Sequence, residues 1–184
     1  RTFAYLKTMK NIDSFDADCI ASLIKDLSLE PTEDLSFNVL FESNNITEEL
    51  YYEEVGLLAS SISKNEMIRS ALLPLQHACI QSPGLIANGR DMGTKVFPNS
   101  VLKLYFIADL DIRAQRRFNQ LIKNGSKPNL QDIRKFIKDR DEKDINRDIS
   151  PLKAAKDAII IDSSQLNIDS ILDKILELYK ITGT

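Results

Sequence analysis

Tryptophan is absent and histidine occurs once, at His77. That residue lies between Gln76 and Ala78 in a helical stretch with no partner in sequence reach, so it reads as a surface or boundary side chain rather than a general base. Cysteine occurs twice, at Cys19 and Cys79, with no C-x-x-C pair or Cys/His cluster. A disulfide framework and zinc-ligand spacing are therefore excluded. Both cysteines read as buried free thiols in a reducing compartment, which points to the cytoplasm. No apolar run reaches membrane-spanning length and no signal peptide is visible. Gly-x-Ser-x-Gly, His-Glu-x-x-His and Gly-x-Gly-x-x-Gly do not occur, nor does the P-loop pattern Gly-x(4)-Gly-Lys-Ser/Thr. Gly125-Ser-Lys127 lacks both the preceding glycine and the preceding strand of a P-loop. The net charge of −3 argues against a sequence-independent nucleic-acid binder.

The 184 residues suit one domain with room for an insertion. Phe3, Leu6, Met9 and Ile12 recur at helical spacing over residues 2–12, and a short helix follows over 16–27. The sequence Glu30-Pro31-Thr32 reads as a turn, residues 35–41 alternate as a strand, and Asn44-Asn45 is turn material. The polar segment 28–50 reads as a loop-like insertion. Helices are expected over 49–63 and over 65–81, the latter capped at Ser63 or Asn65. Three short apolar runs follow, at 84–87, 102–108 and 158–162. They suit strands covered on both faces, as in a parallel sheet. Helices at 111–123, 129–143 and 168–180 fill the gaps, so the pattern implies an α/β fold. Ligands of such sheets bind beyond the carboxyl ends of the strands. Those ends carry Asn88-Gly-Arg-Asp91, Asp109 and Asp162-Ser163.

Four constellations carry candidate chemistry. In residues 84–98, Gly89 and Gly93 allow a sharp turn and close approach to a ligand, Arg90 offers a planar fork to a phosphate, and Asp91 can accept from an amino group. A tight turn with one surface ion pair would fit equally. Arg140, Asp144 and Arg147 fall on one helical face and suit a phosphate-and-sugar grip. A solvated row of salt bridges has the same spacing. Arg113, Arg116 and Arg117 form a basic face that could meet a nucleotide or simply solvent. Ser60 and Arg69, on neighbouring helices, could equally be a cap and an exposed side chain.

Taken together, these pieces resemble the cytidylate kinases of bacterial type. Residues 84–98 (Gly-Leu-Ile-Ala-Asn-Gly-Arg-Asp-Met-Gly-Thr-Lys-Val-Phe-Pro) are similar to that family's Gly-Arg-Asp-x-Gly-Thr-x-Val-Phe-Pro signature. Arg113-Ala-x-Arg-Arg117 and Arg140-Asp-x-x-Asp-x-x-Arg147, with Pro151-Leu152 and Ile161-Asp162-Ser163, resemble its two other signatures. The resemblance is dense over 84–180 and loose over 1–80.

It implies the fold of the P-loop nucleoside monophosphate kinases: a parallel sheet core flanked by helices, a lid, and an enlarged monophosphate-binding insertion. On this reading 1–184 is one kinase domain. Residues 1–82 form mainly the monophosphate-binding region with an insertion near 28–60, and 83–184 the core with a lid near 118–150. The implied reaction moves a phosphoryl group from ATP, with Mg²⁺, to CMP or dCMP, in a monomer that uses neither nucleic acid nor a membrane. Arg1, Arg90 and Arg147 are expected to meet the CMP phosphate. Ser60, Arg69 and Asp91 would read cytosine, and Arg140 with Asp144 would hold the pentose. Arg90, Arg140 and Arg147 make up the catalytic set, and Arg113, Arg116 and Arg117 lie where ATP approaches. No residue is assigned to a metal. Asn88, also a substrate-binding candidate, stands where the family leads one to expect Asp.

The family opens with a strand and a P-loop, and neither pattern occurs here. The sequence Arg1-Thr-Phe-Ala-Tyr-Leu begins inside an apolar helical pattern without Met or N-cap. The chain is therefore expected to be part of a longer kinase and to be inactive alone. Two alternatives remain at this point: a pyrimidine-monophosphate-binding fragment without catalysis, and a kinase for another monophosphate such as UMP.

Overall fold

A computed structural model describes residues 1–182. Its contacts divide the chain into two compact units, Arg1–Ala87 and Asn88–Thr184.

In the first unit, α1 (Thr2–Met9) buries Phe3, Ala4 and Leu6. It stops short of the expected residue 12 because Asn11 takes a left-handed conformation (φ 51°), which asparagine tolerates better than most residues. The second helix, α2 (Ala17–Lys25), starts where the Asp16 side chain accepts from the Cys19 amide at 2.8 Å. Phe3 meets Phe15 edge-on with ring centroids 5.4 Å apart. Phe3, Leu6, Ile20, Leu23, Leu27, Phe41, Ile46, Leu50 and Ile68 form one core cluster.

The strand expected over 35–41 forms at Phe37–Phe41, but the rest of the segment 28–50 corrects the sequence reading, for it is not a loop-like insertion. Strands β1 (Leu27–Pro31), β2 (Phe37–Phe41) and β3 (Asn44–Asn45) make an antiparallel meander in the order β1-β2-β3. Pro31 ends β1 at the sheet edge, where its lost donor costs no ladder bond. The β2–β3 turn is Glu42-Ser43, both at positive φ (50° and 66°), and Asn44 and Asn45 belong to the strand beyond it. Two left-handed residues give the turn that suits a tight hairpin, although neither is the usual Gly or Asn. A 3₁₀ turn (Glu49–Tyr51) leads into α3 (Glu53–Ile62), and α4 (Glu66–Ala78) follows. The cap of α4 is Asn65, whose side chain accepts from the Ile68 amide at 3.1 Å.

In the second unit, β4 (Leu104–Ile107) and β5 (Ile159–Asp162) pair in parallel, with Leu104 opposite Ile159 and Ile107 opposite Asp162. Between them run α5 (Leu110–Lys123) and α6 (Leu130–Ile145), packed against each other, and α7 (Ile168–Thr182) follows β5. This is the α/β pattern the apolar runs imply, with one correction. Residues 84–87 are not a strand: no ladder engages them, and Ile86 is fully exposed. A sheet of two strands also covers less than expected, so Ile161 is buried while Phe106, Ile107 and Ile160 stay exposed. Cys19 and Cys79 are free and half-buried rather than buried. Among the described residues, no helix is long and apolar enough to cross a membrane.

Candidate active site

The second unit gathers its charged candidates around one carboxylate. Asp144, in the last turn of α6, is 3% exposed. Its Oδ2 is ion-paired with Arg90 Nη1, and Arg140 Nε stands 3.9 Å from the same oxygen. Arg147 Nη1 is 3.5 Å from Oδ1. A carboxylate held this deeply needs such partners, because an unpaired buried charge is strongly disfavoured.

The expected helical face is only partly realised. The helix ends at Ile145, so Arg147 lies beyond it and returns by a chain reversal. Ser150, at φ 50° and buried, makes that reversal and turns its carbonyl to accept from Arg147 Nε at 2.5 Å. The Leu152 amide closes the loop onto the Asp144 carbonyl at 2.8 Å. Burial pulls the Arg147 guanidinium below its ordinary pKa, Asp144 opposes that shift, and Arg90 adds to it. Arginine remains charged through such shifts.

Asp91 is buried beside this cluster in sequence, and its carbonyl accepts from the amides of Thr94, Lys95 and Val96. That bonding opens a single π-helical turn, Met92–Val96. Such turns recur at functional sites. Asn88, by contrast, is exposed. The glycines here serve close approach rather than a left-handed turn. A Cβ at Gly89 would lie 2.9 Å from Met92 side-chain carbons, and one at Gly93 3.3 Å from the Lys103 stem.

The basic face of α5 is tied into the protein. Arg113 donates to the Ala108 carbonyl at 3.0 Å and to Asp141 of α6 at 2.5 Å. Arg116 donates to the carbonyls of Ser163 at 2.6 Å and Leu166 at 3.5 Å, beyond β5. Arg117 is bonded to Gln120 one turn on, at 2.8 Å.

The first unit holds the other candidates. Arg1 Nη1 donates to the Leu50 carbonyl at 2.5 Å. Ser60 and Arg69 come together at the α3–α4 turn through Ser63. Arg69 Nη1 donates to the Ser63 carbonyl at 3.3 Å, and the Ser63 hydroxyl donates to the Ser60 carbonyl at 2.8 Å. Sequence reasoning offered Ser63 only as a helix cap, and it missed the roles of Ser150 and Asp141 and the pairing of Arg90 with Asp144. Only the Arg-Asp dipeptide at 140–141 carried any signal, since its second member also faces an arginine.

An α/β core with polar loops at its strand ends and three arginines on one buried aspartate suits a phosphate-bearing ligand. Comparison with known proteins makes this particular. The family model described as "Cytidylate kinase" matches residues 1–181. A cytidylate kinase of Burkholderia ambifaria (strain MC40-6) is 36% identical over 183 residues, covering 100% of this chain and 79% of the relative. One of Paraburkholderia xenovorans (strain LB400) is 37% identical over 169 residues, covering 92% and 73%. The chain belongs to the cytidylate kinase family. Its reaction class is phosphoryl transfer from ATP to CMP, as the sequence motifs lead one to expect.

Proposed function

We propose that the protein phosphorylates CMP and dCMP with the arginine cluster around Asp144 as its phosphate grip. The observation that carries this reading is the convergence of Arg90, Arg140 and Arg147 on one nearly inaccessible carboxylate. Three planar cations held in one place are suited to a dianionic phosphate and to charge that spreads over its oxygens during transfer. The acceptor oxygen of CMP is already ionised, so no strong base is required, which accords with the single histidine. Catalysis then consists of alignment and charge neutralisation. Arg1 contributes a further contact to the monophosphate. Ser60, Arg69 and Asp91 recognise cytosine, with Asp91 accepting from the 4-amino group. Arg140 and Asp144 also meet the pentose, for which Asp144 would exchange one of its arginine contacts. Asn88 supports the base or phosphate.

ATP approaches Arg113, Arg116 and Arg117, whose guanidinium groups fit a polyanionic donor in chemistry. Mg²⁺, when bound with the donor, would supply charge neutralisation to its phosphates. No residue of this chain is assigned to it. The α5–α6 hairpin, near 118–150, acts as the lid that excludes water, and 1–82 as the monophosphate-binding region. We place the enzyme in the cytoplasm as a monomer.

The test is ADP release from ATP with CMP, dCMP or UMP as acceptor, run on the full-length gene product. CMP-dependent release supports the reading, and its absence overturns it.

A further inference from the structure

Glycine is among the weakest helix formers, yet Gly56 stands inside α3 and is buried there. Its surroundings give the reason. A Cβ at this position would lie 3.0 Å from Arg1 Nη2, 3.4 Å from Cζ and 3.7 Å from Nη1. Three guanidinium atoms at such similar distances mean that the group lies broadside across the helix rather than touching it end-on. The other restraint comes from just before α3. Leu50, 7% exposed and part of the core, accepts from Arg1 Nη1 at 2.5 Å. The guanidinium is therefore held between a carbonyl that sets its direction and a bare stretch of helix that sets its height. Arg1 as a whole remains exposed, so a ligand can reach it.

We infer that Gly56 is a positioning residue for Arg1: only a residue without a side chain gives the guanidinium this seat on α3. The inference rests on reading Arg1 as a contact to the CMP phosphate. An added methyl must push the guanidinium away by some tenths of an ångström. A bidentate or in-plane contact to a phosphate tolerates little displacement.

Gly56→Ala has a signature that a purely structural glycine would not give. It replaces a poor helix former by the best one. The melting temperature is therefore expected to hold or rise, while the dissociation constant for CMP rises several-fold and KM for ATP stays put. The decisive experiment is a double-mutant cycle on the full-length gene product, with CMP binding measured by calorimetry and folding by thermal melting. Gly56→Ala is made in the wild type and in an Arg1→Ala background. The expected result is that Arg1→Ala weakens CMP binding and that Gly56→Ala then adds nothing, because its effect passes through the missing guanidinium. If Arg1→Ala leaves CMP binding unchanged, the phosphate role of Arg1 fails, and the inference fails with it. If Arg1→Ala weakens binding but Gly56→Ala has no effect, or the same effect in both backgrounds, the role of Arg1 stands and the seat is overturned.

Discussion

Arg147 faces Asp144 at 3.5 Å while its Nε is held by the carbonyl of Ser150 at 2.5 Å. The guanidinium is thus oriented from two sides before any nucleotide arrives. Preorganisation of this kind lets binding energy go to the substrate rather than to ordering a long side chain.

Arg147→Ala removes a buried, charge-assisted contact. The expected loss of CMP affinity is about 2–5 kcal/mol, measured by titration calorimetry. An unchanged dissociation constant would assign Arg147 to the fold alone. Arg147→Lys should recover only part of the loss, since an ammonium cannot reproduce the fork.

Asp144→Asn keeps the shape and removes the charge. Arg147, which is buried, would then lose the charge of Asp144, whereas Arg90 and Arg140 are partly solvated. Removing one partner from a buried pair costs about 3–5 kcal/mol, and solvation of two of the arginines places the expected loss near the lower bound. The urea midpoint reports it. A midpoint equal to the wild type's would mean that water already compensates the cluster.

Asp91→Asn addresses base choice. Cytosine presents an amino donor where uracil presents a carbonyl acceptor, so a carboxylate at this place favours CMP. Leaving such a buried acceptor unmatched costs on the order of 1–3 kcal/mol, and CMP should exceed UMP in kcat/KM by about tenfold to a hundredfold. The amide can turn its donor toward uracil, so the mutant ratio should shrink. Equal ratios in the two proteins would leave Asp91, which is 6% exposed, as a support for the turn at 92–96.

Ser43→Gly tests the hairpin. Ser43 sits at φ 66°, where an L side chain is strained by roughly 1–2 kcal/mol. Glycine removes that strain but adds freedom to the unfolded chain, so a net gain of about 0.5–1 kcal/mol is expected. Chemical denaturation would show it as a higher midpoint with an unchanged slope, and a lower midpoint would contradict the turn geometry.

The two parallel strands were legible because Leu104–Ile107 and Ile159–Asp162 are short apolar runs bounded by polar residues. Helices α5 and α6 were equally open to their periodicity. Of the meander only β2 was legible, from the alternation over 35–41; its partners were not, because Leu27-Ser-Leu-Glu-Pro31 ends in residues typical of turns, and Glu42-Ser43 lacks the glycine or asparagine that announces a tight hairpin. Residues 84–87 misled in the opposite sense, since apolar composition reports what a segment tolerates and not whether a strand lies beside it. At the candidate site, Arg140 and Asp144 are one helical turn apart and could be grouped from spacing. The Arg90–Asp144 pair joins a loop to a distant helix, and no local periodicity encodes that.

Asp144 also occupies an uncomfortable place along its helix. It lies at the carboxyl end of α6, where the unsatisfied carbonyls already carry partial negative charge, so the helix itself repels the carboxylate. The arginines offset that repulsion as well as the burial, and one of them, Arg90, arrives from the loop before the π turn. The last turn of α6 is therefore conditional on a segment far away in sequence. In hydrogen exchange, its amides should open together with residues 88–91 as one cooperative unit, earlier than the middle of the same helix.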